Sequence, residues 1–242
     1  MVAVHVFQLF TFTLPSGQFR NLHLAFSIAI GFLALVETLQ PSRRLIAALA
    51  WLAVALTVAV AVYIHLEYRA LTEVRSFLPN DADIVVGLLL LTVALILSGF
   101  QWGWTIPALA LIGLAYGLWG YMLPGDIFFH GGIAPKRLLA YTSIPYFQGL
   151  LGGLTSLSAG TIFMFMMFGG ALKATGAIDF IVKVGFAVGR HSKAGPALVA
   201  VTSSGLMGTV SGSTVANVAS TGALTIPLMK RYGFKGSFAG AV

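Results

Sequence analysis

Long apolar runs separated by short polar clusters dominate the chain. Runs near the roughly 20 residues a helix needs to cross a bilayer lie at Leu22–Leu39, Leu45–Leu66, Ile84–Phe100 and Trp104–Leu123, and a fifth covers Leu154–Leu172. They are continuous and rich in Leu and Ala, whereas membrane strands alternate over about 10 residues. The pattern predicts an all-α, polytopic integral membrane protein. The opening run, Met1–Leu14, spans only half a bilayer and lacks the basic start and small-residue cleavage site of a signal peptide. It reads as the stump of a longer helix.

One apolar stretch is broken at its centre. Gly195–Lys230 carries Ser211-Gly212-Ser213-Thr214 in its middle, followed by Asn217. Two half-length helices meeting at a small polar tip describe a re-entrant helical hairpin. Bilayers tolerate such a break only where the freed backbone groups are buried in protein or line a cavity, and transporters use it to hold ions and substrates. Ser211, Gly212 and Ser213 offer hydroxyl and carbonyl oxygens in a small space, a hard donor set that suits a sodium ion. Gly212 lets the backbone bend. The helix that follows points its N–H groups and positive dipole end at the tip, near Ser213 and Thr214, which suits a carboxylate. Asn217, Thr221 and Thr225 follow at four-residue steps and share one helical face. That face either lines a transport pathway or serves close helix packing, for which hydroxyl residues are common in membranes.

Composition confirms the setting. The chain is 58% hydrophobic and 9% charged, against about 25% charged in soluble domains. Its net charge of +7 sits mostly at the ends of apolar runs, which points to membrane topology and away from nucleic acid. With the Pro41–Arg44 turn inside, Arg20, Arg69, Arg75, Lys136 and Arg137 fall outside with Glu67, Glu73, Asp81, Asp83 and Asp126, and cancel. The inner side then holds the whole excess, through Arg43, Arg44, Lys173, Lys183, Arg190, Lys193, Lys230, Arg231 and Lys235 against Glu37 and Asp179. Cysteine is absent, which excludes disulfides and thiolate metal sites.

A Gly- and Pro-rich connection, Leu123 through Pro135, is the clearest boundary, and an interfacial segment at Leu138–Leu151 follows it. The organisation expected is a four-span part over 1–123, a connector over 124–152, and a second part over 153–242 containing the hairpin at 195–230. Ala177–Arg190 reads as an interfacial helix, with Phe180, Val184 and Val188 on one face. The five histidines, His5, His23, His65, His130 and His191, show no metal-ligand spacing and read as interfacial. Glu37 lies inside a span but near Arg43 and Arg44, where snorkelling or ion pairing accounts for it. Trp102, Trp104, Trp119 and Tyr121 read as interfacial anchors. No nucleophile–base pair or cluster of acids points to an enzyme, and no organic cofactor is expected.

The runs Phe163–Gly176 (FMFMMFGGALKATG), Gly208–Asn217 (GTVSGSTVAN), Thr225–Arg231 (TIPLMKR) and Phe238–Val242 (FAGAV) closely resemble the large membrane subunit of tripartite ATP-independent periplasmic (TRAP) transporters. The four preceding spans resemble the small subunit, as in fused permeases, although the turn Ser98–Trp102 lacks the basic charge often found there. The resemblance implies an inner-membrane permease that imports an organic anion, such as a C4-dicarboxylate, a 2-oxo acid or sialic acid. It implies sodium coupling and a periplasmic substrate-binding protein as partner. It also implies an elevator-type carrier with two hairpins, of which this chain holds the first, so the chain is expected to be a fragment. A carrier of another ion-transporter family with a similar hairpin, or a non-transporting membrane scaffold, are the competing readings.

Overall fold

The computed structural model describes residues 1–39, 43–76, 78–143, 148–176, 180, 183–184, 187, 195–209 and 214–242. Helix accounts for the regular structure among them, with no strand. The chain divides into two compact units, Met1–Ala159 and Gly160–Val242.

In the first unit, α1 (Val2–Thr11) ends at Phe12, whose left-handed backbone returns its N–H to the Gln8 carbonyl. The Gln8 side chain clamps the turn, donating to the Leu14 carbonyl at 2.9 Å and accepting from the Leu14 N–H at 3.0 Å. The opening run is thus a short helix closed by its own turn. Next come α2 (Ser16–Thr38), α3 (Arg44–Leu66), α4 (Asp81–Trp102) and α5 (Thr105–Trp119), close to the expected spans. The first span, α2, starts six residues earlier than hydropathy suggests. Gln18 and Asn21 account for this, because their amides donate to the His65 and Ala61 carbonyls of α3 and need no water there. The expected interfacial segment begins with α6 (Pro135–Thr142). The fifth membrane-capable stretch, Gly149–Leu172, combines a 3₁₀ turn, α7 (Gly153–Leu157), a π turn at Ser158–Ile162 and α8 (Phe163–Ala174).

The core of the first unit joins Ile28 and Phe32 of α2, Ala50, Val60 and Ile64 of α3, and Leu90 and Val93 of α4, with Leu71 and Leu151. Gly31 permits the close approach of α2 to α4, since a Cβ there would lie 2.7 Å from Leu97 Cδ2. At most 28% of any span's apolar window is buried. The remaining apolar surface is stable only against lipid.

Several of the charges that counting assigns to the outer side pair with one another. Asp83 forms a capping box with Asn80 at the start of α4 and also accepts from Tyr63 Oη at 2.7 Å and from Arg75 Nε at 3.0 Å. Arg75 Nη2 reaches Glu67 at 2.9 Å. Burial pulls the Arg75 pKa down, but the Glu67 hydrogen bond and the Asp83 charge outweigh it and hold the value above the ordinary one. Lys136 lies 3.2 Å from Asp81, so residues that charge counting puts on one side meet in space. Glu37 is exposed, and no ion pair joins it to Arg43 or Arg44 among the described residues.

After α5, His130 folds the connector back onto the helix end. Its Nε2 is 2.9 Å from the Tyr116 carbonyl and its Nδ1 accepts the Gly132 N–H at 3.0 Å. Gly120 makes room for the ring, because a Cβ there would collide with it. Trp102, Trp104, Trp119 and Tyr121 are exposed at the two ends of α5, as interfacial anchors would be.

Candidate functional site

The second unit contains α8, α9 (Gly195–Gly208), α10 (Thr214–Arg231) and α11 (Gly236–Ala241). Helices α9 and α10 are the two arms of a hairpin. They are antiparallel, for Asn217 near one end bonds Ser204, while at the other end Ala200 clusters with Met229 and Ala239. At 1.5 Å per residue the arms are about 21 and 27 Å long, short of the roughly 30 Å hydrocarbon core. Each arm is shorter than α2, α3 and α4, as the broken stretch predicts. Pro227 lies inside α10 and removes one ladder hydrogen bond from it.

Ser211, Gly212 and Ser213, the expected sodium ligands, lie outside the described residues. So does most of the expected interfacial helix at Ala177–Arg190, including Asp179, Val188 and Arg190. Thr214 opens α10 and is exposed. Asn217 Nδ2 donates to the Ser204 carbonyl at 3.0 Å, with Ser204 Oγ at 3.3 Å. This amide ties the second arm to the first one turn beyond the tip. Thr221 and Thr225 are 6% and 5% exposed. Their hydroxyls donate to the carbonyls four residues back, Asn217 O at 2.8 Å and Thr221 O at 2.9 Å. The stripe of Asn217, Thr221 and Thr225 is therefore turned inward and packed. Each threonine spends its proton on its own helix and keeps oxygen lone pairs to offer.

Sequence reasoning overlooked the first arm. Ser203 is fully buried, and its hydroxyl has no hydrogen-bond partner among the described residues. An unpartnered buried hydroxyl costs about 1–3 kcal/mol, so Ser203 is a polar atom placed where packing alone gives no reason for it. The signal was present as Thr202-Ser203-Ser204-Gly205, a small polar cluster inside an apolar helix. The buried polar groups of the arms are neutral oxygens and an amide, the basic Lys230 and Arg231 lying in the last turn of α10, and among the described residues no group of three metal-ligating His, Asp or Glu side chains occurs.

Two histidines depart from the interfacial reading. His5 and His23 are buried at 0% and 4% exposure, with their rings bonded at 2.9 Å. Hydropathy cannot see this pairing, since the residues lie 18 positions apart on different helices.

Among the described residues, five helices long and apolar enough to cross a membrane, with an antiparallel pair of shorter ones, define an α-helical polytopic membrane protein. Residues 88–242, more than half of the chain, match the family model of the tripartite ATP-independent periplasmic transporter, DctM component. The chain belongs to this family, a transporter family of the inner membrane, and is a permease component of a TRAP transporter. Membership sets aside the reading as a carrier of another family. The match begins inside α4, upstream of residue 153. No curated protein and no solved structure matches the chain.

Proposed function

We propose that the hairpin binds a sodium ion together with an organic carboxylate, and that sodium drives import of an anion handed over by a periplasmic substrate-binding protein. Ser211, Gly212, Ser213 and Thr214 supply the ion's oxygens at the tip. The N-terminus of α10 faces the carboxylate, and Asn217 and Thr221 hold the second arm in register behind the tip. The observation that carries the reading is that both arms of the hairpin bury neutral oxygens, Ser203 on the first and Thr221 and Thr225 on the second, at positions that apolar residues would fill more cheaply. A neutral oxygen set favours a hard monovalent cation over a proton, which needs a titratable base.

The test is uptake by the complete transporter in proteoliposomes, supplied with its binding protein, as a function of sodium. Ser211→Ala, Ser213→Ala and Ser203→Ala should each raise the sodium concentration for half-maximal uptake, while membrane insertion stays unchanged. Unaltered sodium dependence in all three variants removes the hairpin from the ion site.

A further inference from the structure

Three side chains from separate segments of the first unit join in a hydrogen-bonded chain in its interior. His5 Nδ1 lies 3.0 Å from the Met1 carbonyl, His5 Nε2 lies 2.9 Å from His23 Nδ1, and His23 Nε2 lies 3.0 Å from Ser158 Oγ. Valence fixes the direction of every bond. A carbonyl only accepts, so His5 Nδ1 carries the hydrogen and its Nε2 is left as an acceptor. His23 Nδ1 must then donate to it, which leaves His23 Nε2 to accept the Ser158 hydroxyl. Both neutral rings are thereby held as Nδ1–H tautomers.

We infer that His5, His23 and Ser158 form a binding site for a single proton, entered at His23 Nε2 and controlled by Ser158. A proton on His5 Nε2 would set two N–H groups against each other between the rings. His23 Nε2 can accept one from water at the cost of a single change, the rotation of the Ser158 hydroxyl from donor to acceptor. The hydroxyl hydrogen then turns to a carbonyl of the preceding helical turn, the back-bond that helical serines commonly make. No bond between heavy atoms forms or breaks, and the site gains one positive charge. Ser158 opens the π turn Ser158–Ile162, and π turns are frequent at functional sites. Proton uptake is thus coupled to the hydrogen bonding of that turn within the fifth membrane-capable stretch.

On α2, Arg20 is turned back to the Ser16 carbonyl and Glu37 lies at the far end. Helix α3 presents His65, whose ring Nδ1 is buried with no hydrogen-bond partner among the described residues, α4 carries Asp81 and Asp83 in its first turn, and Gly149–Leu151, α7 and the π turn contain no titratable residue. An ionisable pair inside a membrane domain is costly and marks function more often than packing.

The experiment is nitrogen-15 NMR of histidine-labelled full chain in lipid nanodiscs, titrated from about pH 8 to about pH 3, through and below the ordinary imidazole range. At neutral pH His5 and His23 should both show the Nδ1–H signature. On acidification the pair should take up one proton, appearing at His23 Nε2. Ser158→Ala should weaken that uptake about threefold, because the charge-assisted bond to the hydroxyl is stronger than the neutral bond it replaces, whereas Ser158→Thr should leave it near wild type. Nε2–H tautomers at neutral pH, independent protonation of the two rings, or wild-type titration of Ser158→Ala would each overturn the inference. The tautomer measurement needs no variant and stands even if Ser158→Ala does not fold.

Discussion

Removing Arg75 should expose how much of the first unit's stability depends on one buried carboxylate. The Asp83 side chain is 0% exposed, against 22% for Arg75, and it accepts four donors: Tyr63 Oη, the Asn80 N–H, and Arg75 Nε and Nη2 at 3.0 and 3.2 Å. Arg75→Met keeps the apolar stem and deletes both guanidinium bonds, leaving a dehydrated carboxylate with the other two. Breaking one side of a buried pair costs about 3–5 kcal/mol. Arg75 is partly open to water and also serves Glu67, so a loss of about 2–3 kcal/mol is the better expectation. Asp83→Asn should cost a similar amount, since in either orientation the amide N–H₂ would face a guanidinium N–H, donor against donor. The double variant buries no charge and should lose much less than the sum. Reversible unfolding in mixed micelles of the four proteins of this cycle gives the coupling, expected to be at least about 1.5 kcal/mol. Additive losses would show that Asp83 is held by the capping box and Tyr63 alone.

Two contrasts follow from the same geometry. Lys136→Ala breaks an ion pair whose side chains are 69% and 93% exposed, and unfolding should shift by less than about 0.5 kcal/mol. Gly31→Val pushes a branched side chain against Leu97, 2.7 Å from the ideal Cβ position, and should lower stability by about 1–3 kcal/mol. A near-neutral result in the same micelle unfolding assay would mean that the Leu97 side chain swings aside at little cost.

Spans were legible because lipid imposes one dominant rule on a helix, and that rule is written residue by residue. Ile84–Phe100 and Leu45–Leu66 were found within a few positions for this reason. The ends of α2 were less legible, because Gln18 and Asn21 are polar by composition and buried only through carbonyls on α3. A partner some 40 positions away leaves no local trace. The hairpin was visible from its interrupted apolar pattern, and the inward stripe of Asn217, Thr221 and Thr225 from their spacing. The side to which that stripe turned was not, since period 3.6 fixes a shared face and says nothing of what covers it. Ser203 was missed for a related reason, as a serine in a membrane helix reads as packing until its hydroxyl is found without a partner.

The two units differ in the kind of polar chemistry they bury, and this separation bears on how the permease is coupled. The first unit buries titratable groups, with His5, His23 and Asp83 each held by directed bonds. Among its described residues the second unit buries hydroxyls and no charge: Ser203, Thr221 and Thr225. A neutral site keeps the same donor set across the physiological pH range, so its occupancy follows cation concentration alone. A titratable site changes its hydrogen-bond directions with each proton gained. If sodium acts at the hairpin and the proton acts at His23, acidification should change the rate or stability of the permease without changing the sodium concentration that half-saturates it. A single site shared by both ions would instead make protons and sodium compete, and raise that concentration as pH falls.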